Sequence, residues 1–389
     1  MDTIKKPSFA GVTVIAFLCL FLLGLIDNLK GATLPPVLAE LALSDAQGGT
    51  ILLWAYIGFL TAALLVGVLS DLAGNRVVVL FSAACLALGI LGYSLARQPL
   101  LLSASMAVMG LGLGGMDMSG NLIIVSYYTE NKGRYLNLMA FFHGFSSTLS
   151  PYYAGLLLAA GISWRQVYQV PLAAVALLLA LALTVRFPQP QAAQKSSLDF
   201  RSVGKVFLQP GMAWFFVLMV LYVAAEIGVA AWIVAYLQRI HHLEVTLSSL
   251  ILSLYFAGMM IGRLLGTLIV ERAGYLRSIL VAAACATACL AVGTFGPGKA
   301  YWLLPLTGLF FSIIFPTLTA AAANRVKENT GTVMGLLFAF CGAGGALGPW
   351  LVGVVSSAAG IRAGFAVNLA ASAAMVMGIL LLMRAVRQR

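Results

Sequence analysis

From about residue 10 to residue 384 this chain is an almost unbroken series of apolar stretches, each near the ~20 residues that a helix needs to cross hydrocarbon. Such stretches can only be helices or barrel strands, because lipid offers no water to satisfy a free backbone group, and these are far too long for strands. Twelve spans can be delimited: 10–34, 47–69, 77–96, 99–127, 136–160, 166–186, 211–237, 247–270, 278–296, 301–323, 332–358 and 364–384. With 61% hydrophobic and only 9% charged residues, the chain cannot dress the surface of a water-soluble fold. The expected class is an all-α membrane protein embedded in a lipid bilayer.

A net charge of +11 suggests nucleic acid in a soluble protein, so its distribution decides its meaning. With the N-terminus in the cytoplasm and the spans alternating, sixteen Lys and Arg fall on the cytoplasmic side and five on the other, leaving Lys30 and Arg263 in or beside spans. The excess is therefore a positive-inside signal with both termini cytoplasmic, and no nucleic-acid partner is implied. Lys5 and Lys6 precede an apolar run without a small-x-small cleavage site, so the first span is expected to stay as a helix. All five cysteines lie within spans as small apolar side chains, and neither a disulfide framework, a metal site nor a cofactor is implied.

The long polar stretch from Arg186 to Gln209 divides the chain into an N-terminal bundle (1–186), a cytoplasmic linker (187–209) and a C-terminal bundle (210–389). The two parts repeat. An offset of 198 matches Gly133 with Gly331, Gly144 with Gly342, Pro151 with Pro349 and Gly155 with Gly353, while an offset of 200 matches Asp71, Ala73 and Gly74 with Glu271, Ala273 and Gly274. Six spans return the chain to its starting side. The halves therefore run parallel, related by an axis along the membrane normal, with a site expected between them at mid-depth.

These features resemble the major facilitator superfamily of transporters. Gly67 to Arg76 (GVLSDLAGNR) looks like the superfamily's loop between helices two and three, with Leu72 and Asn75 where basic residues are usual, and Glu271-Arg272-Ala273-Gly274 is its degenerate copy. The resemblance implies that Asp71, Arg76 and Glu271 belong to a cytoplasmic gate; Arg263, near the cytoplasmic end of helix eight, is expected in a gate or an interface salt bridge. A contact of Asp71 with a helix N-terminus there would be worth ~0.5–1 kcal/mol. A narrower likeness is to the fucose–galactose–glucose proton symporter family. It rests on Asp27-Asn28 in helix one, Gly112-x-Gly114-x-x-Asp117-x-x-x-Asn121 in helix four, Phe142-His143-Gly144 with Pro151 in helix five, and Leu221 to Gly228 (LYVAAEIG) in helix seven. It implies a proton carrier at Asp117. The family's second acidic residue aligns with Gly31, one turn after Asp27, so fucose specificity does not carry over.

Asp27, Lys30, Asp117 and Glu226 interrupt otherwise apolar helices, each at a cost of about 2.5–3.5 kcal/mol at a helix centre unless it faces a cavity, pairs or does chemistry. An offset of 199 sets Asp27 against Glu226. Lys30 lies three residues after Asp27 on the same helix face, which allows an internal ion pair. Asp117 has no basic residue within a turn and is the leading proton-coupling candidate, with Asp27 and Glu226 beside it. Candidate solute contacts are Asp27, Asn28, Lys30, Asn121, His143, Tyr222, Glu226 and Trp232, with Trp54 and Tyr56 as further aromatic surface; for His143 the plainer reading is a satisfied core histidine. Gly110-x-Gly112-x-x-Gly115 matches a dinucleotide fingerprint, but no strand precedes it, so these glycines serve helix packing.

The chain is thus expected to be a monomeric symporter of the bacterial cytoplasmic membrane, moving a sugar or similar small polar solute inward with a proton. The alternative is a proton-driven antiporter exporting drugs or amphipathic or anionic metabolites. An enzyme is disfavoured, because no nucleophile–base constellation occurs at membrane depth.

Overall fold

The computed structural model describes residues 9–128, 131–187, 211–326 and 330–387. They form twelve long helices and no strand: α1 (Ala10–Glu40), α2 (Asp45–Ala73), α3 (Asn75–Leu95), α4 (Pro99–Tyr127), α5 (Lys132–Ala159), α6 (Trp164–Thr184), α7 (Met212–His241), α8 (Val245–Ala273), α9 (Tyr275–Phe295), α10 (Ala300–Ala323), α11 (Thr330–Ala359) and α12 (Ile361–Arg387). Eleven are long and apolar enough to cross a membrane. The exception is α5, which has ample length but carries His143, Ser146, Ser147, Thr148 and Ser150 in one stretch. Its polarity is what a helix lining an internal site would need. The linker expected at 187–209 falls, except for Phe187, outside the described residues.

Local chemistry sets the helix ends. Ser44 and Gln47 form a reciprocal capping box at the start of α2, as Ser163 and Gln166 do at α6. Gly74 (φ 81°) and its repeat mate Gly274 (φ 84°) make the tight turns from α2 to α3 and α8 to α9, in a backbone region that a side chain disfavours. Prolines sit inside α1 (Pro35, Pro36), α5 (Pro151) and α11 (Pro349), each removing one helical hydrogen bond.

Two buried apolar clusters form the cores. One gathers α1 to α6, and the other gathers α7 to α12 with Leu34, Leu38 and Leu52 reaching across from the first half. The halves join through symmetric helix pairs, α2 on α11 and α5 on α8. A side chain at Gly144 would strike Met260, and one at the equivalent Gly342 would strike Leu60. Likewise Gly155 abuts Ser249, and Gly353 abuts Gly49. Because residues 60 and 260, and 49 and 249, are themselves repeat mates, these contacts are one interface built twice. Gly31 meets Ala230, its own mate at offset 199, so the pseudo-twofold axis passes between α1 and α7.

The interface is closed at one face only. At the start of α2, Asp45 pairs with Arg239 of α7, and the Ala46 amide donates to Ser357 of α11 at 2.8 Å. At the other end of α2 the residues from 61 onward are exposed on almost every side, with only Ala62 and Val66 buried; in α8 the same holds from 261, with Gly262 and Gly266. The bundles splay apart toward the Gly74 and Gly274 turns. In the expected topology, that is the cytoplasmic face.

Candidate solute site between the two halves

Where the closed and open parts meet, a small pocket is lined from both halves by Asp27, Asn28, Lys30 and Gly31 of α1, Leu52 and Tyr56 of α2, Ile227, Ala230 and Ala231 of α7, Phe256 of α8 and Pro349 of α11. The helix of α1 is interrupted at Asn28. The Asn28 amide donates to the Gly24 carbonyl at 2.8 Å and to the Ser147 hydroxyl at 3.0 Å, tying the break to α5. Just past it, Lys30 is only 7% exposed and forms an ion pair with Asp27, with its ammonium 5.0 Å from the Tyr56 ring centroid. A lysine at this depth needs both partners, since removing it from water is repaid only by a close counter-charge and a polarisable face.

The second half presents a different arrangement around Glu226. The Tyr222 hydroxyl lies against its carboxylate, and Tyr255 donates to its backbone carbonyl at 3.0 Å. Arg263 of α8 is exposed and close enough to act on the charges of both Glu226 and His143, yet it makes no ion pair with either. His143, half-buried on α5, feels both Arg263 and Asp27, and its side chain has no hydrogen bond among the described residues. It sits on the cavity wall between the two halves.

Asp117 on α4 is half-buried and within range of the Asp27 charge. Its hydrogen-bond partner is Asn121, one turn on, which donates to its carboxylate at 3.2 Å and to its backbone carbonyl at 2.9 Å. No cation contacts it among the described residues. Asp27, Asn28 and Lys30 line the central pocket, and Asp117, His143 and Glu226 lie close enough for their charges to meet there, with Tyr222, itself buried, behind Glu226. Trp232 is no part of this group. It is wholly buried, its indole donating to the Pro349 carbonyl at 2.9 Å, and in this conformation it braces α7 against the α11 proline instead of meeting a solute.

The residues expected at the gate separate into two groups. Asp71 and Glu271 are exposed at the open ends, with no ion pair among the described residues, and Arg76 donates to the carbonyls of Ala182 and Leu183, steadying the C-terminal end of α6. Arg263 is not with them. It stands ten residues before the end of α8, on the cavity wall.

The closure itself lies at the opposite face, in residues the sequence reading passed over. Asp45, 11% exposed, takes two hydrogen bonds of 2.8 Å from Arg239 across the halves. Within the first half Glu40 accepts from the Trp164 indole at 2.6 Å and pairs with Arg165, which stacks on Trp164. One signal was available. Arg165 and Arg239 are among the few basic residues on the side that the charge bias disfavours, and such residues need a local reason to be there. No group of three His, Cys, Asp or Glu able to hold a metal occurs among the described residues.

The sequence model of the Major Facilitator Superfamily matches residues 16–349. Among curated proteins, the chain is 23% identical over 364 residues to a "Protein TsgA homolog" of Erwinia tasmaniensis, covering 92% of this chain and 90% of that one. It is 24% identical over 268 residues to a "Putative glucose/galactose transporter" of Helicobacter pylori, covering 64% of each. Among solved structures, the nucleoside transporter NupG (D323A mutant) superposes with a TM-score of 0.80 at 16% identity, over 96% of this chain and 99% of that one. A D-xylose-proton symporter superposes with a TM-score of 0.77 at 14% identity, over 97% of each.

Proposed function

This chain belongs to the major facilitator superfamily, and from that premise we propose that it is a proton-coupled symporter of the bacterial cytoplasmic membrane. It carries a sugar or similar small polar solute inward by alternating access, with both termini in the cytoplasm. The membrane-spanning fold and small-molecule transport are properties of the family; the proton, the direction and the solute are ours to argue.

The observation that carries the proposal is Asp117. It is a carboxyl with no cation in contact among the described residues, its side chain held by Asn121, and within range of the Asp27 charge. A neutral acid can be enclosed as the bundles rock closed, whereas an ionised one in a sealed cavity is strongly disfavoured unless solute and partners compensate it. Coupling follows from that difference. The relatives named for sugars and the symporter of like fold support this direction.

The test is transport by purified protein in proteoliposomes. Asp117→Asn is expected to abolish accumulation against a gradient while leaving solute counterflow measurable, because counterflow needs the site but not the proton. Undiminished proton-driven accumulation in that variant would remove Asp117 from the mechanism. Efflux of cationic dyes driven by an inward proton gradient, with no solute symport, would replace symport by antiport.

A further inference from the structure

Two cations lie at membrane depth among the described residues, and they are satisfied differently. Lys30 is buried, paired with Asp27 and set over the Tyr56 ring, so its charge is balanced inside its own half. Arg263 has neither an ion pair nor a hydrogen bond among the described residues. Arg76, by contrast, binds two carbonyls, Arg165 binds Glu40, and Arg239 binds Asp45. An arginine held in a span without a partner is tolerated only where it faces water, and this one faces the open cavity.

Its position within the cavity is informative. Arg263 follows Phe256 by seven residues, so it lies on the same face of α8, two turns and about 10 Å nearer the open end. Phe256 lines the central pocket opposite Tyr56 and Asp27. Across from Arg263 stand His143 on α5 and Glu226 on α7, the latter already engaged by the Tyr222 hydroxyl. A guanidinium is a planar fork of donors that matches the two oxygens of a carboxylate. Among the described residues nothing occupies that fork.

We propose that Arg263 is the anion-binding residue of the cavity, and that the transported solute is a small hydroxylated organic acid with one carboxylate, a sugar acid rather than a neutral sugar. With its carboxylate on Arg263, a hexose-sized acid directs its hydroxyl-bearing end along α8 toward Asp27, Asn28 and Tyr56, which offer acceptors and donors for it. The proposal rests on the transport reading, because it needs a solute to enter this cavity. It does not need the proton to drive it.

The experiment combines solute-induced change in melting temperature of the full-length protein with counterflow in proteoliposomes lacking a pH gradient. The probes are galacturonate, gluconate, lactate and, as the neutral control, galactose, all at the same millimolar concentration. At least one carboxylate is expected to stabilise the protein and to exchange, with galactose doing neither. Arg263→Gln is expected to weaken that binding by at least about tenfold, whereas Arg263→Lys, which keeps the charge without the fork, retains part of it. Without solute, Arg263→Gln should melt like the wild type, since Arg263 has no partner to lose among the described residues.

Failure of all three carboxylates to bind overturns the proposal, as does galactose binding that Arg263→Gln leaves unchanged. A drop in unliganded stability shared by Arg263→Gln and Glu226→Gln would make the two a structural pair and likewise overturn it. Carboxylate counterflow without pH-driven accumulation would remove the proton coupling alone and leave Arg263 in its role.

Discussion

The two halves share one scaffold helix for helix, and they differ where charge meets the cavity. In the first half the cation is satisfied and an acid stands free: Lys30 is enclosed by Asp27 and Tyr56, and Asp117 has only Asn121. In the second half the acid is clothed and the cation stands free: Glu226 has Tyr222 and Tyr255 about it, and Arg263 has no partner among the described residues. Of these groups only Asp27 and Glu226 are repeat mates. Lys30 corresponds to Val229, Asp117 to Phe315 and Arg263 to Ala63. Duplication therefore supplied the hinges and close contacts twice, and the polar chemistry arose once on each side. A transporter built this way can assign proton and solute to different halves.

The sharpest way to break that contrast is to remove the counter-charge from each cation in turn. Asp27→Ala leaves Lys30 buried and unpaired, which is expected to cost about 3–5 kcal/mol of stability, seen as a large fall in melting temperature. Adding Lys30→Met should recover much of the loss, because an apolar pair of similar volume needs no partner. In the second half Glu226→Gln should barely move the melting temperature, as Glu226 makes no ion pair among the described residues. Equal losses from both single variants would mean that the halves are electrostatically alike after all.

A second contrast runs between the faces. The closed face depends on the Asp45–Arg239 bridge, while Asp71 and Glu271 at the open face make no ion pair among the described residues. Arg239 is 40% exposed in its side chain, so solvent screens the pair, and its loss is worth about 1 kcal/mol, roughly a fivefold shift between inward- and outward-open populations. Asp45→Ala should raise the rate at which a membrane-impermeant thiol reagent labels a cysteine placed at Ala46, by about that factor. Asp71→Ala should leave this rate unchanged in the inward-open state. Slower labelling from Asp71→Ala would place a closing contact at the face described as open, because losing that contact favours the inward-open state.

Helix count, the repeat and the depth of each carboxylate were readable from the sequence because each depends on period or offset. Gly144 against Met260 and Gly342 against Leu60 show why the offset was reliable: a glycine kept at both positions marks the same close approach. The Asp27–Lys30 pair was readable from a spacing of three. The roles of Trp232 and Arg263 were not, because facing a cavity or a neighbour depends on helix rotation that no local pattern encodes. Asp45 and Arg239 were missed for another reason, since two residues 194 apart meet only through packing of the halves.

The smallest expected effect tests how far the halves differ at their edges. Arg76 donates to the Ala182 and Leu183 carbonyls at the end of α6, where a cation also complements the helix dipole. Its repeat mate is Leu276, which offers neither interaction. Arg76→Leu therefore gives the first half the edge of the second, and is expected to cost about 0.5–1 kcal/mol, since the group is solvent-exposed and both carbonyls can turn to water. Its checkable signature is faster hydrogen exchange confined to the last turn of α6, with counterflow unchanged. If counterflow falls as well, Arg76 acts in the transport cycle, and the gate implied by the family loop resides in the first half alone.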